Sequence, residues 1–303
     1  MKLTKSTKTL NHPNPYSSFT RKAIAVCALS VTAGTVFAQK GFDVGLKANI
    51  QTSSLLNATD QAAGHELDFK NKVGFAGGIA GGYFFNHHCG VELDILYSKQ
   101  GQGYIGDAAQ LTTTSGNGAL IMSQVFSGLA SKNAITFSGN YTGRVDLTCL
   151  KIPILFRYTG NNTKPWYFSS FVGPQINMLN SVATFVNDKE ATFSAFGVQP
   201  IDLYKKMTID AVLGVGVGIN LSDNLVLSVH LRLDYGLGDV ENKSAKGPSF
   251  SSSSNFYDAT RATSHNATGG GLISLNYKFI KKATKPGVTT TTKTTTKTTT
   301  KKK

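Results

Sequence analysis

The chain has 303 residues, 16% of them charged, and its 31 Lys and Arg against 17 Asp and Glu give a formal net charge of +14. Five of the basic residues precede Gln39 and eight follow Ile280, leaving 18 against all 17 acids in between. The body is nearly neutral, and this excludes nucleic-acid binding, which needs its positive charge on the folded part.

Taken in chain order, the first stretch carries Lys2, Lys5, Lys8, Arg21 and Lys22 with no acid, then the apolar run 23–34 and Val36-Phe37-Ala38. That layout predicts a secretory signal peptide over residues 1–38, cleaved after Ala38. The run is too short for a transmembrane anchor, which needs about 20 apolar residues. Cys27 follows Val26 rather than a small residue, which argues against a lipoprotein.

Residues 39–281 hold no convincing amphipathic helix but eight segments of period two, each read as a strand with one apolar face. They span about 41–52, 72–85, 90–104, 144–160, 166–180, 207–222, 224–240 and 268–280. The second and third are joined by "NHHC", the fourth and fifth by "NNTKP" and the sixth and seventh by "SDN". The remaining connections are expected at roughly 20 to 40 residues, far beyond a hairpin loop. Short turns at one end and long loops at the other are the plan of outer-membrane barrels, with the turns in the periplasm and the loops outside. Both chain termini are then periplasmic.

The faces sharpen this reading. In 224–240, Leu225, Leu227, Val229, Leu231 and Leu233 alternate with Val226, Ser228, His230, Arg232 and Asp234. The faces opposite the apolar ones sum to Asp43, Glu92, Asp94, Asp210 and Asp234 against Lys47, Lys151, Arg157, Arg232 and Lys278, with His230 among them. Five acids against five bases suit a closed lumen, because a buried charge is tolerated only when paired and hydrogen-bonded. The prediction is an all-β, eight-stranded antiparallel up-and-down transmembrane barrel, aliphatic side chains toward lipid and charges inward. Eight strands leave an interior that side chains just fill, so a plugged barrel is expected and not a porin. Phe42, Tyr83, Phe85, Phe156, Tyr158, Trp166, Phe168, Tyr277 and Phe279 fall at the short-turn end, as an aromatic girdle would. Residues 282–303, rich in Thr and Lys, are expected to be a disordered, solvated periplasmic tail.

Several stretches also resemble the PorT-like outer-membrane β-barrel family common in Bacteroidetes. They are "GFDVGLKANI", "GFAGGIAGGYFF", "GVELDILYSKQGQGY", "LKIPILFRY", "PWYFSSFVGPQINML" and "GGGLISLNYKF". The resemblance covers most of residues 41–280 and implies an eight-stranded outer-membrane barrel whose last strand ends in an aromatic read by the barrel-assembly machinery. Lys151 stands where a glutamate is expected from the resemblance, and the chain runs on past Phe279. Membership of such a family does not fix an activity.

Other signals are weaker. "GVGVG" at 214–218 alternates inside a strand and so lacks the strand-to-helix context of a nucleotide loop. Gly74, Gly78 and Gly82 read as small lumen residues. His65, His87, His88 and Cys89 lack the spacing of a closed metal site, and nothing calls for a cofactor. Ser228, His230 and Asp234 share a face but lie too far apart along a strand for a triad.

The leading expectation is a non-enzymatic barrel whose long loops, about 105–143 above all, offer a binding or adhesion surface or dock a secretion partner. A lipid-modifying barrel enzyme is the second reading and a soluble calyx-type barrel with an apolar ligand the third. Expected partners are outer-membrane lipid, the assembly machinery and a protein at the loops, with no nucleic acid. Cys89 and Cys149 sit about 30 Å apart at the strand rise, beyond the reach of a disulfide. The mature chain, denatured without reductant, is expected to take thiol label at both cysteines; labelling only after reduction would contradict this placement.

Overall fold

The computed structural model describes residues 41–58, 61, 67–107, 140–161, 163–190, 199–245 and 261–279. The expected signal peptide at 1–38, the tail at 282–303, most of the loop at 105–143 and His65 lie outside them. The strands are β1 (Phe42–Asn57), β2 (Leu67–Phe84), β3 (Cys89–Asp107), β4 (Asn140–Thr159), β5 (Trp166–Val186), the two-residue β6 (Lys189–Glu190), β7 (Met207–Asn220), β8 (Leu225–Gly236) and β9 (Ser264–Lys278). Each strand pairs antiparallel with its neighbour in sequence, β6 hangs on β5, and β4–β5 and β1–β9 pairings close the other eight into a ring.

Parity governs which side chains face which way. Leu46, Ile50 and Leu231 on the outside are 64%, 72% and 68% exposed, whereas Lys47, Gln51 and Arg232 between or beside them are 6% exposed or less. A water-soluble sheet would show the reverse pattern. Among the described residues no helix is long and apolar enough to cross a membrane; here the strands carry the apolar surface.

The short connections at one end are 85–88, 160–165 and 221–224. Each is fastened by a short polar side chain, the residue type that bonds its own turn backbone. The Asn86 side-chain oxygen accepts from the backbone N–H of His88 and Cys89, at 2.8 and 2.7 Å. In 160–165 the Asn161 side-chain oxygen accepts from the Thr163 N–H at 3.2 Å, and in 221–224 Ser222 Oγ accepts from the Leu225 N–H. The chain ends meet at the same end, where Phe279 N–H donates to the Phe42 carbonyl at 2.9 Å. The nine aromatics named above lie there, with Trp166 69% and Phe85 59% exposed; Phe42, Tyr83, Tyr277 and both Phe85 and Phe279 make ring contacts with one another.

Several boundaries differ from the sequence reading. β1, β2, β4, β5 and β9 run four to six residues further toward the loop end than expected, and the β1–β2 connection shrinks to 58–66. Ser53, Asn57, Thr184, Ser264 and Asn266 continue the inward face there with polar groups, so apolar alternation fades before the hydrogen-bonded ladder does. Conversely, β8 stops at Gly236 rather than 240, because Leu237 onward leaves the wall to cover the mouth. Cys89 is the first residue of β3 and not part of the turn; both cysteines are free thiols. The glycines Gly214 and Gly218 face inward, where an added Cβ would lie 2.0 Å from Phe171 and 2.5 Å from Tyr167. They are small so that these two rings can enter the lumen.

If sidedness is as described, Leu231→Arg should cost about 2–4 kcal/mol, the penalty for a cation near the middle of a barrel's lipid face. Equilibrium unfolding from lipid vesicles measures it.

Candidate functional site in the barrel interior

The inward parity positions build two ion clusters. Nearer the turns, Arg157 on β4 bridges Asp43 on β1 and Glu92 on β3, each at 2.8 Å. Lys47 on β1 pairs with Glu92 and, at 2.7 Å, with Asp94. Gly82 lies between these strands without a side chain, and a Cβ there would meet the Asp43 carboxylate at 2.1 Å. The Arg157 guanidinium also lies over Phe84, 4.8 Å from the ring centre.

Toward the loops, Asp234 on β8 receives Lys151 Nζ at 2.9 Å and Arg232 Nε at 2.8 Å. Arg232 also donates to Gln175 Oε1 at 2.5 Å, and Gln175 Nε2 donates to Asn177 and, at 3.3 Å, to Asp210. Leu155, Phe171, Val212 and Leu272 form a buried apolar cluster in the same interior. Phe171 touches both kinds of neighbour, with Lys47 Nζ 5.6 Å above its ring and His230 5.1 Å away.

Of the five acids and five bases singled out from the sequence, two stand apart from the ion pairs among the described residues. Asp210, fully buried, is met by the Gln175 amide rather than by a cation. Lys278 lies opposite Asp43 in register, its Nζ 5.5 Å over the Tyr167 ring. The matched count of five and five therefore does not translate into five private pairs: single cations are shared between acids, and one acid is held by amides.

Among the described residues the candidate hydrolytic set does not assemble. Neither ring nitrogen of His230 has a hydrogen-bond partner, and the Asp234 carboxylate is taken by Lys151 and Arg232. Ser228, His230 and Asp234 are therefore three separate inward positions and not a triad. His88 turns its Nδ1 to the backbone carbonyls of Thr159 and Gly160, at 2.8 and 3.2 Å. Among the described residues no group of three or more potential metal ligands occurs.

Above the ions comes a layer that the charge pattern did not reveal. Gln51 donates to Ser98 at 2.9 Å and accepts from Asn49 at 3.0 Å. Gln102 Oε1 accepts from the Leu55 N–H and Ser54 Oγ, at 2.7 and 2.9 Å. Over this layer, segments 199–206 and 237–245 meet. Lys205 N–H donates to the Val240 carbonyl and Asn242 N–H to the Leu203 carbonyl, both at 2.9 Å. Arg261 clamps this cover from beneath, with Nε and Nη2 on the two oxygens of Glu241 at 2.7 and 2.8 Å, while Ser264 Oγ donates to the same carboxylate at 2.5 Å. Glu241 and Arg261 lie in stretches without periodicity, so no face assignment could have found them. Under the cover, Gln100, Asn177, Thr208, Asn266 and Tyr204 line a cavity of about 20 Å³, room for one water. Among the described residues, ion pairs, amides and rings thus follow one another through the interior from the turn end to the cover.

Replacing Arg157 by Gln strands the buried carboxylate of Asp43 and leaves Glu92 to Lys47 alone, and removal of one partner from such a network costs about 3–5 kcal/mol. Urea unfolding of the folded barrel should show a loss of this size, and substitution of a lipid-facing residue of equal volume should not.

The crystal structure of Neisserial surface protein A is similar with a TM-score of 0.40 and 12% identity, covering 78% of this chain and 97% of the other. OprG from Pseudomonas aeruginosa gives 0.38 and 11%, with 80% and 98% covered. Ail, the attachment invasion locus protein of Yersinia pestis, gives 0.34 and 11%, with 79% and 99% covered. None of the curated proteins compared with the chain matches its sequence. The family model described as outer membrane protein beta-barrel domain matches residues 37–242. The chain belongs to that family and is an outer-membrane β-barrel protein.

Proposed function

We propose that this is a non-enzymatic barrel of the PorT-like, Bacteroidetes type whose long loops form its working surface. The observation that supports the reading is the interior, where among the described residues ion pairs, amides and rings succeed one another and the Ser228, His230 and Asp234 side chains are not assembled as a catalytic set. With the wall committed to lipid and the lumen to its own side chains, chemistry is left to the ends. The turn end is short and bonded to itself. The loop end carries the 108–139 connection, which lies outside the described residues. On this reading the loops face outward, the termini lie in the periplasm, and the assembly machinery inserts the chain. The loops then bind or adhere to a target, or dock a partner of a secretion apparatus.

The test replaces 108–139 by a short turn and places photo-crosslinkers along the same segment in the intact protein. Heat-dependent electrophoretic mobility verifies that both barrels fold. Crosslinks to a protein or surface glycan that vanish with the segment are expected. A changed lipid mass spectrum in cells lacking the protein, with no loop crosslinks, would overturn the reading in favour of a lipid-modifying enzyme.

A further inference from the structure

The outer face of the barrel is apolar around most of its girth, but near the loop end one sector changes character. Lys99 on β3 faces outward between the buried Ser98 and Gln100, its Nζ 6.0 Å over the exposed Phe75 ring. Arg144 on β4 lies beside the buried Val145, its guanidinium 4.3 Å over Phe185. Lys70 on β2 follows Phe69, which meets the buried Tyr104 ring, so Lys70 points the other way and is exposed. Lys70 and Arg144 flank Gly103, paired with it from either side. Lys72 reaches Asp146 at 2.5 Å, and Arg144 shares that carboxylate at 3.1 Å. Lys70 and Lys99 enter no ion pair among the described residues.

The order of charges along the strands matters. Val73 and Phe75, 69% and 49% exposed, end the apolar surface on β2. Lys99 is register-opposite Phe75, so a cation comes first. Lys72 with Asp146 follows, then Lys70 and Arg144; the carboxylates of Asp68 and the 90% exposed Asp188 come last. Lipid phosphates sit directly above the acyl chains, at the level where this sector presents cations and stems that lie along rings. Lysine and arginine behave in this way at an interface, with the stem in the apolar layer and the head at the phosphates. At the same level, β1, β8 and β9 present Thr52, Tyr235, His265 and Ala267, none of them Lys or Arg.

We propose that the outward face of β2, β3 and β4 at the loop end is a docking site for a phosphorylated membrane lipid, its phosphates held by Lys70, Lys99 and Arg144 with Lys72. The ligand is defined by its chemistry, an anionic phosphate headgroup on acyl chains that run down Val73, Phe75 and Tyr97. If the loops face outward as proposed above, the lipid belongs to the outer leaflet. The site does not depend on what the loops bind, so the two readings fail separately.

The full-length protein is extracted in neutral detergent, and native mass spectrometry follows its titration with a bisphosphorylated glycolipid, with phosphatidylcholine, and with inorganic phosphate. Retention of the glycolipid is expected, with affinity reduced by about tenfold or more in the Lys70→Gln/Lys99→Gln double variant, from the attraction of each basic residue for an anionic surface. A Lys205→Gln/Lys206→Gln variant removes equal charge from another sector and should bind like the unaltered protein. Heat-dependent mobility confirms that each variant is folded. The proposal is overturned by equal loss in both variants, by no loss in either, by equal retention of phosphatidylcholine, or by displacement of the glycolipid with inorganic phosphate alone.

Discussion

A backbone in hydrocarbon has no water to bond to, so every N–H and C=O along the wall must find another strand. The rest of this structure depends on that closure. It explains why β1 and β9, the first and last strands, run side by side through fifteen registered residue pairs. It also explains why polar strand ends such as Ser53–Asn57 keep their ladder after their apolar alternation has gone. Closing eight strands fixes the bore, and a bore of that width brings inward side chains from opposite walls into contact.

The ions inside follow from the same geometry. A charge on the inner face can leave neither through the wall nor to bulk water, so it must be answered across the lumen. Arg157 reaches a strand three places away in the ring to find Asp43, and Lys151 reaches β8 to find Asp234. Such cross-lumen bonds tie walls that share no backbone pairing. Phe171 and Tyr167 occupy the space left by Gly214 and Gly218, so packing and pairing are interleaved.

Period two made the wall legible in the sequence, because a single residue of slip would turn Leu231 inward and Arg232 into lipid. Short turns were readable from "NHHC" and "SDN", where Asn86 and Ser222 supply the fastening oxygens. Three things were not readable. Strand ends near the loops carry polar residues on the inner face and small or polar ones outside, so contrast disappears while pairing persists. Partner choice inside the lumen depends on strand stagger, which parity does not encode; hence Asp210 meets an amide and Glu92 two cations. The Glu241–Arg261 clamp joins segments with no repeat at all and exists only because the mouth brings 237–245 over 261–264.

The seam between β1 and β9 has a consequence for how the molecule comes into being. Its hydrogen bonds join positions such as Thr52 and Gly269, 217 residues apart, so the strand that seals the cylinder is synthesised after the other described strands. Until Ser264–Lys278 arrives, β1 and its partners present a bare, sticky margin of the kind that invites pairing with foreign strands. Once the seam zips, there is no flank left from which to unravel.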